Sequence, residues 1–344
     1  MLAARRTILA AVAALVLAVS ACSATTPEAQ DRIVTRSAKS PAVTRVLAVS
    51  IDGLNPSAIR RLGHRGAPTL HRLIARGAFT MNARTTRELS KTLPNHTGML
   101  TGRRVDASYR GHGVAWNDDR TEPATVDEAA GDKVESVFTS VAAAGRRTAM
   151  FAAKTKFSLF KRSWPAAVDR AVIDADNAAL VRLARHDLAN YSRGFTFVHL
   201  SGPDDAGHEH GFMTPAYLGA VRATDRLLGR LVTTIRNHPS LRRHLVLVVT
   251  ADHGGGGGKR NHADPTLRQN FRIPFLVWGP GVASGVNLYA LNRDYRNPGT
   301  RRTAYAARKQ PVRNSDVANL VTDLLGLPRF AGSEHDAQLD LDVR

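Results

Sequence analysis

The feature that most constrains this chain is the run Leu245-Val246-Leu247-Val248-Val249, which has no polar alternation and is closed by Thr250-Ala251-Asp252-His253-Gly254. A strand without alternation has no solvent face. The run therefore predicts a strand buried on both sides within the mostly parallel sheet of an α/β fold. In such sheets ligands collect outside the carboxyl ends of the strands, and Asp252 and His253 fall at such an end. A hard oxygen beside an imidazole nitrogen is a donor pair that a catalytic zinc accepts. One such end is ordinary punctuation; further ends with matching chemistry make a site.

Other strand ends do carry it. Residues 44–51 predict a strand ending in Asp52-Gly53, and residues 195–200 predict one that leads into Ser201-Gly202-Pro203-Asp204-Asp205-Ala206-Gly207-His208. Asp204 and His208 stand four apart there, in an expected turn. Residues 148–153 predict a further strand, with Lys154 and Lys156 directly after it. Helical patterns at 70–76, 134–144, 176–190 and 214–236 fill the intervals, so the sheet is expected to carry helices on both faces. Gly77 is expected as a left-handed cap. Pro274 places residues 272–278 in an edge or bulged strand. In Lys91-Thr92-Leu93-Pro94-Asn95-His96, Thr92 is expected in the turn that feeds a helix, where backbone N–H groups favour an anionic oxygen or a phosphoryl group.

Divided by chemistry, the donors make two clusters. Asp204, His208 and His262 form a three-ligand site with an open position; His262 lies nine residues past His253, beyond five glycines that let the chain return. Asp52, Asp252, His253 and the Thr92 oxygen form the other. Two divalent ions roughly 4 Å apart hold the attacking and leaving oxygens of an in-line phosphoryl displacement. A threonine hydroxyl is a poor nucleophile at neutral pH, and metal coordination lowers its pKa without a separate base.

Ile51-Asp52-Gly53, Lys91-Thr92-Leu93-Pro94-Asn95-His96 with Thr101-Gly102, Pro203-Asp204 to Gly207-His208, and Ala251-Asp252-His253-Gly254 together resemble the nucleotide pyrophosphatase/phosphodiesterase family of the alkaline phosphatase superfamily. The resemblance runs from about residue 45 to 330. It implies an alkaline phosphatase-like fold, two zinc ions, a threonine nucleophile and a covalent phosphothreonine. His112-Gly113-Val114-Ala115-Trp116-Asn117 is similar to the family's His-Gly-x-x-x-Asn, which implies that Asn117 donates to a non-bridging phosphoryl oxygen. Asn261-His262-Ala263-Asp264 is similar to the stretch that supplies the last ligand, with Ala263 at the expected glycine. Lys154 and Lys156 are expected to aim ammonium groups at the phosphoryl oxygens. Sulfatases carry a Cys/Ser-x-Pro-x-Arg motif, which Thr92 with Pro94 and His96 does not provide. The other histidines have blander expectations: His199 in the core, His96 packing near the nucleophile, His210 behind a ligand, and His335 at the surface.

Composition bounds the setting. The 344 residues, 43% hydrophobic, suffice for one large core. The net charge of +19 attracts anionic lipids, polyanions and phosphorylated substrates. No basic patch with interleaved aromatics or known module points to nucleic acid. Arg5 and Arg6 precede an uncharged stretch, residues 8–19, and then Ser20 and Ala21, which describes an export signal over 1–21. Cys22 is the single cysteine, so no internal disulfide can form. Val19-Ser20-Ala21-Cys22 resembles the lipobox of bacterial lipoproteins, which implies lipidation of Cys22, a tether over 22–42 and a catalytic domain over 43–344 facing outward from a membrane. The expected activity is zinc-dependent hydrolysis of small phosphate esters, diesters first. The alternatives are a phosphomonoesterase or an inactive surface-binding protein of the same fold.

Overall fold

The computed structural model describes residues 43–336 and 340–344, within the unit Ser40–Arg344. The expected export signal, Cys22 and the tether lie outside the described residues. The strands are β1 (Arg45–Ile51), β2 (Ala78–Arg84), β3 (Arg147–Ala152), β4 (Arg170–Ile173), β5 (Arg193–Leu200), β6 (Leu245–Thr250), β7 (Arg272–Trp278) and β8 (Val286–Asn287). They form one sheet in the order β4-β3-β5-β1-β6-β7-β2-β8. Only β7 runs against its neighbours; every other pairing is parallel.

The absence of alternation has its expected consequence. β5 and β6 are buried at every position, and β1 at all but its first. Helices cover both faces; helix Val137–Ala143 and helix Asn177–Asn190 each pack on β3 and β5. The amphipathic pattern expected at 214–236 forms a helix over Pro215–Asn237, capped by Thr214, whose side chain accepts from the Tyr217 N–H. Among the described residues no helix is long and apolar enough to cross a membrane.

Of the two forms expected for residues 272–278 the bulged one is found, and three other local expectations change. β7 is an inner strand between β6 and β2, not an edge; the missing N–H of Pro274 is absorbed by a register shift between Thr80 and Ala83 of β2, and the Pro274 carbonyl accepts from the Thr250 hydroxyl at 2.9 Å. Gly77 is extended (φ −138°) rather than left-handed, and the reason for glycine is space: a Cβ there would lie 2.1 Å from the Val277 carbonyl oxygen. Thr92 is the first residue of helix Thr92–Thr101, with Lys91 as its cap, instead of preceding that helix in a turn. Asp204 and His208 lie in helix Gly202–His210, where four residues is one turn and puts both on one face.

Candidate active site

β3, β5, β1 and β6 are parallel neighbours, and their register pairs Ile51 with Leu200, Ser50 with Thr250 and Ala152 with His199. Their carboxyl ends are thus nearly level, and whatever follows each strand emerges at one edge of the sheet. Asp52 follows β1 directly, Lys154 comes two residues after β3, and Asp252 two after β6. Asp204 sits in the first turn of the helix after β5.

The expected ligands meet there. Asp204, His208 and His262 have donor atoms within 4.8 Å of one another, and so have Asp52, Asp204 and His253. The sequence assigned Asp204 to one cluster, yet its Oδ1 lies 3.5 Å from His262 Nε2 and 3.8 Å from His253 Nε2, so this carboxylate stands between both. His253 Nε2 is 3.2 Å from Asp52 Oδ1 and 3.1 Å from Asp252 Oδ2. His262, returning past the glycine run, stacks on His253 with ring centroids 3.5 Å apart. Phe212 supports the return: a Cβ on Gly255 would come within 2.2 Å of its ring, and one on Gly207 within 2.5 Å.

The hydrogen bonds reveal what the cluster would hold. Nδ1 of His208 donates to the Arg260 carbonyl, that of His253 to Gly254 and that of His262 to Ser90, at 2.7 to 2.9 Å. With Nδ1 so engaged, each ring turns its Nε2 inward. His208 Nε2 and His262 Nε2 face each other at 3.1 Å. Asp52 Oδ1, Asp204 Oδ1, Asp252 Oδ2 and His253 Nε2 are buried without a hydrogen-bond partner. Such a set of inward acceptors is satisfied by cations, and its carboxylates and imidazoles suit divalent metal.

The charges agree. Burial opposes ionisation of Asp52, but Lys154, His199 and His253 hold its pKa well below the usual carboxylate range. Burial and the neighbouring Asp52 push Asp252 well above that range. Burial also disfavours a charge on His253, yet Asp252, Asp204 and Asp52 raise it to about 10. His262, depressed to about 3 by burial and then by His253, stays neutral.

Beside the cluster opens a cleft of about 540 Å³, lined by Thr92, Asn117, Lys154, Lys156, Asp204 and His208 among others. Thr92 is almost fully buried at the helix start. Asn117 Oδ1 accepts the Leu93 N–H at 2.9 Å, which fixes the amide and leaves its Nδ2 free to donate. Lys156 Nζ donates to the Asn117 carbonyl at 2.5 Å. Lys154 is placed differently from its expectation: its Nζ bridges Asp52 Oδ2 and Asp204 Oδ2, each at 2.6 Å, and those carboxylates raise its pKa against the effect of burial.

Several contributors escaped the sequence reading. His199 is a core residue, as expected, but its Nδ1 accepts from the Ala153 N–H and its Nε2 consequently donates to Asp52 Oδ2 at 3.0 Å. His96 donates from Nδ1 to the Thr92 carbonyl, and its Nε2 faces the Ser50 hydroxyl, both at 2.8 Å. It thereby ties the start of the Thr92 helix to β1. Asn314 Nδ2 lies 3.2 Å from the Asp252 carbonyl and 3.1 Å from Asn95 Oδ1, joining the same helix to the end of β6. A hydrophilic residue inside an otherwise apolar strand was the available signal for His199; nothing local marked Asn314. His210 does not back a ligand; it is exposed and its ring faces Glu209. His335 is buried rather than superficial, with Nδ1 toward the Gly102 carbonyl.

Comparison with known proteins follows this geometry. The GPI ethanolamine phosphate transferase 1 of Neurospora crassa is 31% identical over 145 residues, 40% of this chain and 14% of that protein. Its Yarrowia lipolytica counterpart is 26% identical over 132 residues, 38% and 14%. The chain therefore matches only about one seventh of the length of these curated relatives. A phosphopentomutase of Syntrophotalea carbinolica is 29% identical over 125 residues, 35% of this chain and 28% of that one. Murine ectonucleotide pyrophosphatase/phosphodiesterase 5, solved as an inactive variant in complex with AMP, superposes with a TM-score of 0.63 at 15% identity, covering 86% of this chain and 99% of that one. The lipoteichoic acid synthase LtaP from Listeria monocytogenes gives 0.58 at 14%, covering 86% and 76%. At such identities the two structures show a shared fold. The profile of the type I phosphodiesterase / nucleotide pyrophosphatase family matches residues 46–314, from β1 to the asparagine that holds the end of β6, and the chain belongs to that family.

Proposed function

We propose that this protein hydrolyses phosphate esters, phosphodiesters before monoesters, through Thr92 as nucleophile and two divalent metal ions, zinc the expected pair. The observation that carries the reading is the shared cleft: the Thr92 hydroxyl, at a helix N-terminus, opens onto the same space as Asn117, Lys156 and the ligands Asp204 and His208. Asp204, His208 and His262 would hold one ion; Asp52, Asp252, His253 and Thr92 would hold the other. When bound, such a pair lowers the pKa of the threonine hydroxyl and of water and neutralises charge on the leaving oxygen.

Thr92 Oγ1 loses its proton to solvent and attacks phosphorus as the bond to the leaving alcohol breaks, and the departing oxygen takes a proton from solvent. Water then attacks the phosphothreonine, the P–Oγ1 bond breaks, and the hydroxyl is restored. Throughout, Asn117 Nδ2 donates to a non-bridging oxygen, its orientation set by the Leu93 N–H. Lys156 supplies positive charge at the same oxygens, with Lys154 between Asp52 and Asp204 behind it. His96 holds the Thr92 carbonyl, so the nucleophile's backbone does not drift when charge changes. The named transferases favour a second reading, in which an alcohol takes the place of water in the second step.

The test is a panel of bis-p-nitrophenyl phosphate, p-nitrophenyl phosphate and p-nitrophenyl sulfate with added zinc, on wild type and Thr92→Ala. Diester turnover lost in the variant supports the mechanism; equal rates remove Thr92 from it. Adding ethanolamine or glycerol and analysing products separates transfer from hydrolysis. Outward display on a membrane through lipidated Cys22 is part of the proposal, and Cys22→Ser should move the protein from the membrane fraction to the medium.

A further inference from the structure

A second cavity lies elsewhere, in the irregular segment between β8 and helix Val317–Leu324. It measures about 940 Å³ and is lined by Arg296, Arg301, Arg302, Arg308 and Lys309, with no carboxylate in its wall. It shares no lining residue with the cleft at Thr92. Over residues 293–313 the sole acid is Asp294, which does not line the cavity.

This concentration of cations is uncompensated. Among the described residues none of the five forms an ion pair. Arg302 donates to the Arg87 carbonyl, and Lys309 Nζ to that of Arg293 at 2.7 Å. Carbonyl acceptors fix a cation's position without neutralising it. Glu88 and Asp264 reach Arg302 only as longer-range charges.

The fold also holds this segment in place with buried groups. Arg84, 1% exposed, donates to the carbonyls of Gly299 and Arg301 at 2.9 and 3.1 Å. Arg313, 2% exposed, donates to the Thr303 carbonyl and to Gln310 Oε1. Asn82 reaches Asn297 and Gly299, and the Tyr305 hydroxyl donates to Glu88. A solvated surface loop needs no such scaffolding. Two buried guanidiniums without a carboxylate on their side-chain nitrogens add to the same field, and they lie behind the wall rather than in water.

We propose that this cavity is a binding site for a multiply charged phosphate compound, distinct from the catalytic cleft. Guanidinium forks match phosphate oxygens in pairs of hydrogen bonds, and five cations without a counter-charge call for more than one negative charge. The same chemistry is offered by a soluble polyphosphate and by phosphorylated headgroups at a membrane surface. The site does not depend on Thr92 being the nucleophile.

The experiment uses the full chain with Thr92→Ala, so that no probe is turned over. Inorganic tripolyphosphate binding is measured by calorimetry, and binding to phosphatidylcholine vesicles with and without phosphatidylglycerol by flotation. Each is repeated with Arg301→Gln and Arg308→Gln together, both exposed side chains whose loss leaves the buried scaffold intact, and separately with Lys156→Gln in the catalytic cleft. The expected result is tripolyphosphate binding weakened about tenfold or more by the double substitution and unchanged by Lys156→Gln. Loss of binding to phosphatidylglycerol vesicles alone, again in the double variant, supports the site with a lipid headgroup as its ligand. Unchanged binding of both probes in the double variant, loss confined to Lys156→Gln, or no binding of either probe overturns it.

Discussion

The carboxylate cluster at the strand ends and the cavity over residues 295–309 both gather like charges, by opposite means. In the cleft, Asp52, Asp204 and Asp252 are buried to within 1% and brought together by parallel strands that cannot move apart without breaking the sheet. Oxygens left without partners there require cations. In the cavity, the charged tips of Arg296, Arg301 and Arg308 are exposed, and the scaffold touches backbone carbonyls instead of charges. Water satisfies them when no anion is bound. The difference is one of dielectric: a buried like-charge cluster costs several kcal/mol until matched, while an exposed one costs about 1 kcal/mol or less per pair. The first region should therefore govern chemistry and the second affinity.

The largest effect that would break this contrast is at the nucleophile. Thr92→Ala should lower diester turnover by about 10³-fold or more, with binding at the loop cavity unchanged. A residual rate within tenfold of wild type would leave the cleft without its proposed role. Next comes the carboxylate shared by both clusters: Asp204→Asn should cut turnover by about 10²-fold and reduce bound zinc, read by elemental analysis, from about two ions per chain to one or fewer. Chelator treatment should abolish turnover reversibly and leave the affinity for tripolyphosphate at the loop cavity intact.

The scaffold gives an intermediate effect. Arg84→Met strips hydrogen bonds from the carbonyls of Gly299 and Arg301, and should cost about 2–4 kcal/mol in urea unfolding while weakening anion binding. Unchanged stability would mean that the loop is not held by this side chain.

Smaller again is a pH effect on stability. His112 and His335 are buried and neutral, held by burial to about 3 and about 4. In the unfolded chain a histidine titrates near about 6.5, so between these values the unfolded state binds more protons and stability rises with pH. The contribution is complete above about 6.5 and is lost as pH falls toward 4, by up to about 1.4 kcal/mol per pH unit for each ring. Denaturation midpoints from pH 7 to pH 4.5 should fall less steeply in His112→Asn than in wild type. The smallest change is in selectivity: Lys156→Ala should shift the monoester to diester ratio by a few-fold, about what one partly exposed charge contributes.

Much of the fold is legible in the sequence because apolar patterning is local. The runs at β1, β5 and β6 lack alternation, and a strand so built has no option but the interior of a sheet. The same reasoning reached the donors that sit just past those runs. It fell short at Gly77, where the need for glycine comes from a carbonyl on a strand two hundred residues away in sequence. His199 stood out as a polar residue in an apolar strand and Asn314 not at all, but the partner of neither was legible, because a hydrogen-bond partner 147 or 62 residues distant leaves no spacing to read.

The sequence alone places Asp52, Asp252 and His253 just past the ends of buried strands, because hydrophobic burial and turn chemistry act over a few residues. Only the tertiary structure decided that Asp204 stands between two clusters, that three imidazoles turn Nε2 inward, and that a basic cavity is backed by Arg84 and Arg313. Those are matters of direction and distance between side chains, and they depend on strand register and on the backbone carbonyls that each side chain meets.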